Sequence, residues 1–597
     1  MYNVSMDYKA QIKDTIRNPS YLKVEFGVVD PQAPGDAVIT DDGHVYYSNS
    51  ADIGYFVEVA DSYNTLEHNR FILDGAHAFP PTVGPYVYQG YVGDKVSAQD
   101  GYFAAPNKVT ITFSTLFLDF IGLTFNFDTL FNEYPRELRL IAYHGVSEVY
   151  NQVKVPDKAT NWVWEDAIPE CNKIEIISER TGYGQRRFRL ENVVFGILKV
   201  FTDVEIESAT WRRDVDLINS RLPIHTFDFT LIDKDRAYDP ELPGGLFGYL
   251  EEQQPINFEF GYELDDGSIE WLQAGNTFTS GGAEVTTDTV LPKVTFRSVS
   301  TLSYLTKVYT EGKYYTAPGR SLYDLATDVL TFAGIPLNDL GQPRWIVDTS
   351  LQTMYTMQPL PKYAVKELLQ LIANAARVVL DVDRDGNITL APHSAALQSF
   401  DLTLSDVMSP PNTKKYPPLQ GVDTTYGTLT PDAVAESLGQ YAIVGASSTT
   451  FELVHQRATD VTASLGAGLT LVGAAQYYAE MCRITVTGTG TITLNGKLIQ
   501  KATQKVSVEF NTVGERCSID NQLITSSADA VLYATWIGTY LDRRSEYEVE
   551  DRGFPELDPG DNITLDNLIT ENVPVTLLGT EIRFNGSISG ASKLLIG

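Results

Sequence analysis

The sequence has little cysteine and little histidine. Its 597 residues include only three cysteines, which lie far apart without any C-x-x-C spacing, so neither a zinc knuckle nor a disulfide framework is indicated. This usage suits assembly in a reducing cytoplasm. None has a recognisable nucleophile context, and we interpret all three as small apolar core residues: Cys171, Cys482 and Cys517.

Long apolar runs are also missing. The start of the chain, MYNVSMDYKAQIKD, contains none, so no secretory signal is expected. No stretch approaches the ~20 apolar residues of a membrane helix. If the protein acts outside a cell, we expect it to leave by another route, such as lysis.

Basic residues are too few to balance the acidic ones. The chain has 45 Lys and Arg against 77 Asp and Glu, which gives a formal net charge of −32. Such a surface repels phosphate backbones and anionic lipid, so specific nucleic-acid binding is not expected. Solubility is the simplest explanation of the charge.

The motifs of common enzyme classes are absent. The seven histidines form no H-E-x-x-H pair, and there is no G-x-S-x-G turn and no Walker loop. We therefore predict no catalytic residues and no cofactor. A glycosidase carboxylate pair ~5–10 Å apart in space would leave no mark in the sequence, so a carbohydrate-active enzyme stays an alternative.

What the sequence does contain is β structure. Hydrophobic residues make up 43% and aromatic residues 11%, with Tyr, Phe, Thr and Val frequent, which favours sheets over disorder. Short alternating runs separated by turn residues predict strands. The N-terminal ones are Tyr21–Val29, Arg70–Leu73, Val109–Phe113, Gly122–Phe127, Glu137–Tyr143, Lys173–Ile177 and Arg186–Leu190. The fold class is mainly β and multidomain, with three to five domains of ordinary size.

Helical periodicity is confined to a few places. SLYDLATDVLTFAG has apolar residues at spacings of three and four, with Ser321 as the N-cap and Gly334 as the C-cap. A second helix is predicted from about Ala364 to Arg377, and a third from about Ser527 to Asp542. The Pro-rich segment Ser409–Leu419 predicts a connection, because proline interrupts helix and sheet.

The segment DVDRDGNITL resembles half of a calcium-binding loop. Asp381, Asp383 and Asp385 have the right spacing for carboxylate ligands, but position twelve is Pro392 where a bidentate glutamate is needed. A hairpin turn whose Asp side chains accept backbone N–H groups explains the same residues. We favour the turn and predict no metal site.

Two other segments are candidate binding features. Trp162 and Trp164 flank a polar segment, and exposed tryptophans in a sandwich loop can stack on sugar faces; one of the pair in the core is the simpler interpretation. The segment DRGFPELDPGDNITL (Asp551–Leu565) is a turn whose acids are most simply solvated or in intersubunit contacts.

The chain resembles tail-tip or baseplate hub proteins of tailed bacteriophages. The segments that carry the resemblance are RNPSYLKVEFGVVD, FDFTLIDKDRAYDPELPGGLFGYLEEQQPINFEFGYEL, SLYDLATDVLTFAGI, RGFPELDPGDNITL and EIRFNGSISG. The resemblance implies a homotrimer whose β-barrels adapt a sixfold tail tube to a threefold tip. It also implies a distal tail ring above, fibres or a spike below, and location in the virion tail after synthesis in the host cytoplasm.

The stretch from Tyr55 to Phe195 is similar to an inserted galactose-binding-type jelly roll, which makes host-wall carbohydrate a candidate ligand. Many family members carry a C-terminal peptidoglycan-cleaving domain, and the end at Gly597 leads us to expect that it is missing. The expected organisation is an N-terminal arm (1–54), the jelly roll (55–195), a first hub barrel (196–310), a small α/β domain (311–408), a linker and β-rich domain (409–525), and a helix with the closing strands of a second barrel (526–597).

Three functions follow, from different classes. The first is a structural hub, through whose lumen DNA passes without specific binding. The second is an adhesin or receptor-binding protein that attaches to the host wall through the jelly roll. The third is a carbohydrate-active enzyme with two convergent carboxylates in a cleft.

Overall fold

The chain is mainly β and is built from several sheets, as the sequence predicts. Half of the predicted strand Arg70–Leu73 lies outside the described residues. The computed structural model describes residues 1–29, 33–54, 64–65, 67, 70–71, 79, 90–117, 121–241, 246–250, 253–279, 284–286, 292–335, 343–566, 570 and 572–596.

The N-terminal arm consists of a short helix and a long strand. Ser5 caps the helix, because its hydroxyl oxygen accepts a hydrogen bond from the backbone N–H of Tyr8 at 3.0 Å. The strand buries alternate apolar residues and matches the predicted one almost residue for residue. The two elements are α1 (Met6–Gln11) and β1 (Ser20–Val29).

A sandwich follows β1. A five-stranded sheet, in the order β2-β4-β9-β6-β7, shares one apolar core with the smaller sheets β11-β5-β8 and β10-β3. It begins before residue 55, the predicted boundary, because β2 already pairs with β4. The elements are α2 (Ala33–Asp36), β2 (Ala37–Asp41), β3 (Tyr91–Val92), β4 (Lys108–Phe117), β5 (Leu123–Asn126), β6 (Pro135–His144), β7 (Ser147–Lys154), β8 (Trp162–Trp164), β9 (Cys171–Thr181), β10 (Arg189–Leu190) and β11 (Asn192–Val194).

Glu191 makes the stability of the sandwich depend on pH. Its carboxylate accepts hydrogen bonds from the N–H and hydroxyl of Thr129, but burial dominates and raises the pKa of Glu191 to about 7. A glutamate in an unfolded chain has a pKa of about 4.3. The folded state therefore keeps the proton to higher pH, and the free energy of unfolding falls as the pH rises from about 4 to 7.

We expect Glu191→Gln to stabilise the sandwich by about 2 kcal/mol at pH 8 and to change little at pH 4. Thermal unfolding at the two pH values measures this. Glu165→Gln, at an exposed glutamate of the same sandwich, is the matched control. It should leave the stability unchanged at both pH values. A Glu191→Gln protein that keeps the wild-type pH dependence contradicts the prediction.

The chain re-enters the arm's sheet at β12, so the sandwich is an insertion between β1 and β12, which pair with each other. These strands curl around an aromatic core that includes Phe26, Phe229, Phe258 and Phe296. We call β1 and β12–β18 the first β region. The added strands are β12 (Gly196–Phe201), β13 (Ile206–Asp214), β14 (Thr226–Ile232), β15 (Pro255–Glu263), β16 (Ile269–Thr279), β17 (Glu284–Thr286) and β18 (Lys293–Val299).

The α/β unit follows as predicted. The hydroxyl oxygen of Ser321 accepts from the N–H of Asp324, and Gly334 ends α3 with φ +71°, so both caps are confirmed. The RDGN hairpin also forms, with Gly386 at φ +79°. The elements are β19 (Arg320–Ser321), α3 (Leu322–Ala333), β20 (Trp345–Val347), β21 (Tyr355–Thr356), α4 (Val365–Ala376), β22 (Val379–Val382) and β23 (Ile388–Ala391).

The next part contains a correction. The segment Ser409–Leu419, predicted as a connection, contains strand β25, which pairs with β33. A short edge strand fits between the prolines because Pro410, Pro411, Pro417 and Pro418 all lie outside it. The strands here are β24 (Leu397–Leu402) and β25 (Asn412–Lys415), and both belong with the C-terminal strands rather than with the α/β unit.

A seven-stranded sheet occupies residues 419–518 and contains a strand of 29 residues, β31. The predicted organisation groups helix α5 with the closing strands. In the structure α5 instead packs on β26 in a shared apolar cluster, so it belongs to this sheet. The elements are β26 (Leu419–Pro431), β27 (Glu436–Val454), β28 (Ala458–Leu465), β29 (Leu469–Leu471), β30 (Gln476–Tyr477), β31 (Met481–Glu509), β32 (Glu515–Ser518) and α5 (Ser527–Leu541).

The last strands join the first β region. Together with β24 and β25 they form what we call the second β region, around a core of its own that α1 helps to cover. Both regions are parts of one 14-stranded sheet. Its main path has eleven strands, in the order β12-β1-β15-β16-β18-β14-β13-β35-β36-β33-β25, and three more branch from it: β17 beside β18, and β34 beside β35 with β24 beyond it. The strands are β33 (Ser545–Asp551), β34 (Asn562–Leu565), β35 (Val573–Phe584) and β36 (Ile588–Ile596).

Candidate functional site: the junction of the two β regions and the open sheet edges

Backbone pairing joins the two β regions. Strand β13 pairs with β14 on one side and with β35 on the other, from Ala209 opposite Phe584 to Asp214 opposite Gly579. An uninterrupted ladder transmits load through backbone hydrogen bonds rather than through side chains. The two regions are therefore held as one sheet.

A buried ion cluster reinforces this ladder from the side. The Asp558 carboxylate binds Arg213 of β13 and Arg384 of the RDGN turn, with Arg384 Nε 2.8 Å from Asp558 Oδ1. Arg384 also donates to the carbonyls of Gln273 and Pro555, at 2.9 and 2.7 Å. One turn of the α/β unit thus contacts both β regions.

The electrostatics of this cluster favour the charged forms. Burial by itself would raise the pKa of Asp558, but Arg213 and Arg384 outweigh it and hold that pKa well below its usual range. Burial lowers the pKa of Arg213 to about 10, so it remains protonated at neutral pH. The Trp211 ring lies under the Arg213 guanidinium at 3.8 Å, which adds a cation–π contact.

A second cluster fastens the N-terminal arm to the second β region. Lys13 Nζ lies 2.8 Å from Asp406 Oδ2 and 3.8 Å from the centroid of the Phe400 ring. The Tyr8 hydroxyl donates to Glu556 Oε2 at 3.2 Å. Burial raises the pKa of Glu556 and lowers that of Lys13, despite the neighbouring charges.

A cavity of about 310 Å³ lies beside this cluster, between α1 and the turn after β24. Its lining includes Lys9, Ser399, Thr403 and Ser405 as well as the Lys13–Asp406 pair. The pair is an internal contact, since Asp406 Oδ2 also accepts from the N–H and hydroxyl of Thr403. The described contacts thus assign Lys13 and Asp406 to holding the arm in place.

The three candidate calcium ligands lie at the RDGN turn and point to different partners. Asp383 accepts hydrogen bonds from the backbone N–H groups of Asp385 and Asn387, at 3.0 and 2.8 Å, as a hairpin turn requires. Asp381 Oδ1 lies 3.0 Å from His225 Nε2, and Asp385 is exposed. Within the described residues no group of three or more His, Cys, Asp or Glu could hold a metal ion.

The two candidate sugar-stacking residues lie in the core of the sandwich. Trp164 donates its Nε1–H to the Tyr150 hydroxyl at 2.8 Å, and Trp162 contacts the rings of Phe125 and Phe127. Both tryptophans are buried, so neither presents a ring face to solvent. The favoured interpretation placed one of the pair in the core, and both lie there. The alternative of sugar stacking needs an exposed ring, so carbohydrate binding by the sandwich remains a prediction without a residue.

The cysteines occupy apolar surroundings. Cys171 and Cys482 are buried and Cys517 is half-buried. Burial raises the pKa of Cys171 to about 12, so its thiol stays protonated and unreactive at neutral pH. This matches their interpretation as small apolar residues.

Sequence reasoning missed the ion cluster. The acids of Asp551–Leu565 were expected in solvent or between subunits, whereas Asp558 pairs with two buried arginines of the same chain and Glu556 is itself buried. The only available signal was the isolated arginine in DVDRDGN, which a solvated turn does not need. Its partner lies 174 residues away along the chain.

The main path of the large sheet ends at β12 and β25, and its two branches end at β17 and β24. Among the described residues, β12 pairs only with β1, and β25 pairs only with β33. An unpaired edge exposes a row of N–H and C=O groups and is a template for another strand. Strand β25 offers its whole edge for such contact. On β12 the Thr124 hydroxyl of β5 already accepts from the Leu198 N–H and donates to the Gly196 carbonyl, so only the rest of that edge is free.

Comparison with known proteins gives structural neighbours only. No family model matches the chain, and no curated protein matches it in sequence. Several of the solved structures similar to the chain are tail proteins. The 43 kDa tail protein of prophage MuSo2 from Shewanella oneidensis has 12% identity and a TM-score of 0.39, over 67% of this chain and 96% of that one.

Two further tail proteins show a comparable likeness. The tail protein from Neisseria meningitidis has 10% identity and a TM-score of 0.39, over 66% of this chain and 93% of that one. The prophage tail protein gp18 from Listeria monocytogenes has 6% identity and a TM-score of 0.34, over 67% of this chain and 91% of that one. In the described residues, no helix has the length and apolar character needed to cross a membrane.

Proposed function

We propose that this chain is a structural hub of a phage tail tip. The observation that carries the proposal is the single sheet that contains two β regions and whose main path ends at β12 and β25. Three copies would place six β regions in a ring, which suits the junction of a sixfold tube with a threefold tip. A head-to-tail contact repeated around a threefold axis closes on itself and pairs β25 of each copy with β12 of the next.

Charge supports contact between unlike edges. Strand β25 carries Lys414 and Lys415. Strand β12 carries Lys199, and Asp203 and Glu205 lie in the turn that follows it. Lysines of β25 in one copy can face these two acids at the end of β12 in the next copy, whereas two copies of β25 would place lysine beside lysine. The contact is therefore heterologous, as a ring requires.

The role is mechanical rather than enzymatic. The ring would take the distal tail ring on one face and fibres or a spike on the other, and DNA would pass through its lumen. A chain with a net charge of −32 repels DNA, so the strand would move without adhering. The sandwich, inserted outside the ring strands, would support host attachment, with host-wall carbohydrate as its candidate ligand.

Light scattering on the purified chain tests the proposal. The monomer is 66.1 kDa, and we expect a mass of about 198 kDa, three times that value, independent of concentration. The double variant Lys414→Glu, Lys415→Glu should dissociate the trimer, because it places glutamates opposite Asp203 and Glu205.

The matched control is Lys158→Glu, Lys234→Glu, which makes the same charge change at two exposed lysines outside both edges. It should leave the trimer intact. A wild-type chain that stays monomeric at every concentration contradicts the hub, and equal dissociation by both variants contradicts the assignment of the edges.

A further inference from the structure

The seven-stranded sheet ends in a region without any charge. Residues 437–451, 461–479 and 484–496 contain no Asp, Glu, Lys, Arg or His. These runs of 15, 19 and 13 residues belong to a chain in which 20% of residues are charged. We call them together the uncharged tip.

Strand pairing shows that the tip is a corner. Val454 pairs with Met481, and Ala458 pairs with Leu498. The chain from 454 to 458 spans at most about 14 Å, whereas a straight strand from 481 to 498 would span about 56 Å. Strand β31 therefore folds back on itself between these residues.

The bend lies at Gly488. Here φ is +104°, and the register with β27 shifts on both sides of Ala446, which is opposite Gly488. A Cβ on Gly488 would lie 2.0 Å from the carbonyl oxygen of Gly468, so only glycine permits this approach. An apolar cluster behind the bend, which includes Ile443, Val486 and Ile492, keeps the corner rigid.

Aliphatic side chains project from this corner. Val444 is 84% exposed, and Leu471 and Val472 are each 39% exposed. They flank the bend from both sides, since β27 and β29 lie on opposite edges of β31. The corner thus presents apolar groups to solvent on both sides of the bend.

Charged residues return at the base of the tip, where six of them form three ion pairs. Glu452 lies 3.0 Å from Arg483, Glu480 lies 2.8 Å from Arg457, and Asp460 lies 2.9 Å from Lys497. This belt of neutralised pairs separates the uncharged tip from the acidic body.

We propose that the uncharged tip docks on a lipid bilayer, with Val444, Leu471 and Val472 entering the boundary between headgroups and acyl chains. The acidic body is repelled by anionic phospholipid. The tip has no charge to desolvate, so it can approach a lipid surface that repels the acidic body. Apolar side chains on a rigid support can enter this boundary to about 5–10 Å.

The small apolar area of the tip argues for lipid over a second copy of the chain. Three aliphatic side chains bury far less than the ~800 Å² per partner of a stable protein interface. Among the described residues β27 pairs only with β31, so its outer edge needs water, and the contact is interfacial rather than spanning.

Vesicle flotation with the full chain tests the proposal, using phosphatidylcholine vesicles with and without phosphatidylglycerol. We expect the wild type to float with both, and Val444→Asp to lower the bound fraction at least tenfold. Val434→Asp is the matched control: Val434 is 72% exposed but lies in the turn before β27, outside the tip. It should float like the wild type.

Tryptophan variants provide a second test, because the aspartate of Val444→Asp can also disturb the fold of the corner. The emission of Val444→Trp should shift to the blue when vesicles are added, and that of Val434→Trp should not. No flotation of the wild type, or equal loss with both aspartate variants, overturns the proposal. Lipid-free self-association that Val444→Asp abolishes would overturn it in favour of a second copy. The test does not depend on the trimer, so its outcome is separate from that of the hub.

Discussion

Replacing Asp558 by asparagine is expected to lower the free energy of unfolding by about 3 kcal/mol. The substitution leaves Arg213 and Arg384 without a counter-ion, and their side chains are only 6% and 8% exposed. Loss of one partner from a buried pair is costly because the remaining charge stays desolvated. The Asp558 side chain is 30% exposed. The expected loss is therefore at the low end of the range found when one partner of a buried ion pair is removed. Calorimetry of the two proteins measures the difference.

Asp385→Asn is the matched control, because it makes the same change at an exposed aspartate in the same turn as Arg384. It should leave the unfolding temperature unchanged. The pKa of Asp558 is lower in the folded state than in the unfolded chain. The stabilisation that ionised Asp558 adds to the free energy of unfolding is therefore complete above about pH 4. It is lost as the pH falls towards the folded-state pKa. A difference between wild type and Asp558→Asn that grows on acidification would refute this account.

The second large effect is expected at the bend of β31. Gly488→Ala should destabilise the uncharged tip by about 3 kcal/mol or more, because a positive φ and a backbone clash act together. The built Cβ lies 2.0 Å from a carbonyl oxygen, which no side-chain rotation can relieve. Hydrogen exchange across residues 484–496 should show the loss as faster exchange of the strand amides.

Gly473→Ala separates the two causes. Gly473 also has a positive φ, +74°, but nothing lies within 4 Å of a Cβ at this position. It should cost only the conformational strain, about 1–2 kcal/mol. Equal exchange rates in the two variants would show that the close approach to Gly468 contributes nothing to the stability of the corner.

Local patterns predicted several elements well. Helix α3, with its two caps, and helix α4 lie within one or two residues of their predicted bounds, because apolar spacing and capping are decided by neighbours in the sequence. The RDGN hairpin formed for the same reason, since its glycine supplies the positive φ. The mainly β fold class of the chain followed from its composition and from the alternation of apolar and polar residues.

Patterns that depend on exposure were less successful. The Trp162 and Trp164 pair is equally compatible with a loop and with an interior strand, and only the second sheet of the sandwich decides that both are buried. Strand β25 was missed because four prolines surround it, although an edge strand tolerates them outside the ladder. In both cases the missing information is which surface covers the segment.

By itself, the sequence determined the β class, the α/β unit with its caps, and the run of residues without charge. The tertiary structure decided which distant segments meet. It placed β13 beside β35, brought Arg213 to an aspartate 345 residues away, and folded β31 back at Gly488. The physical reason is range: caps, turns and periodicity act over a few residues. Strand neighbours and buried ion pairs instead depend on how the whole chain closes around its cores.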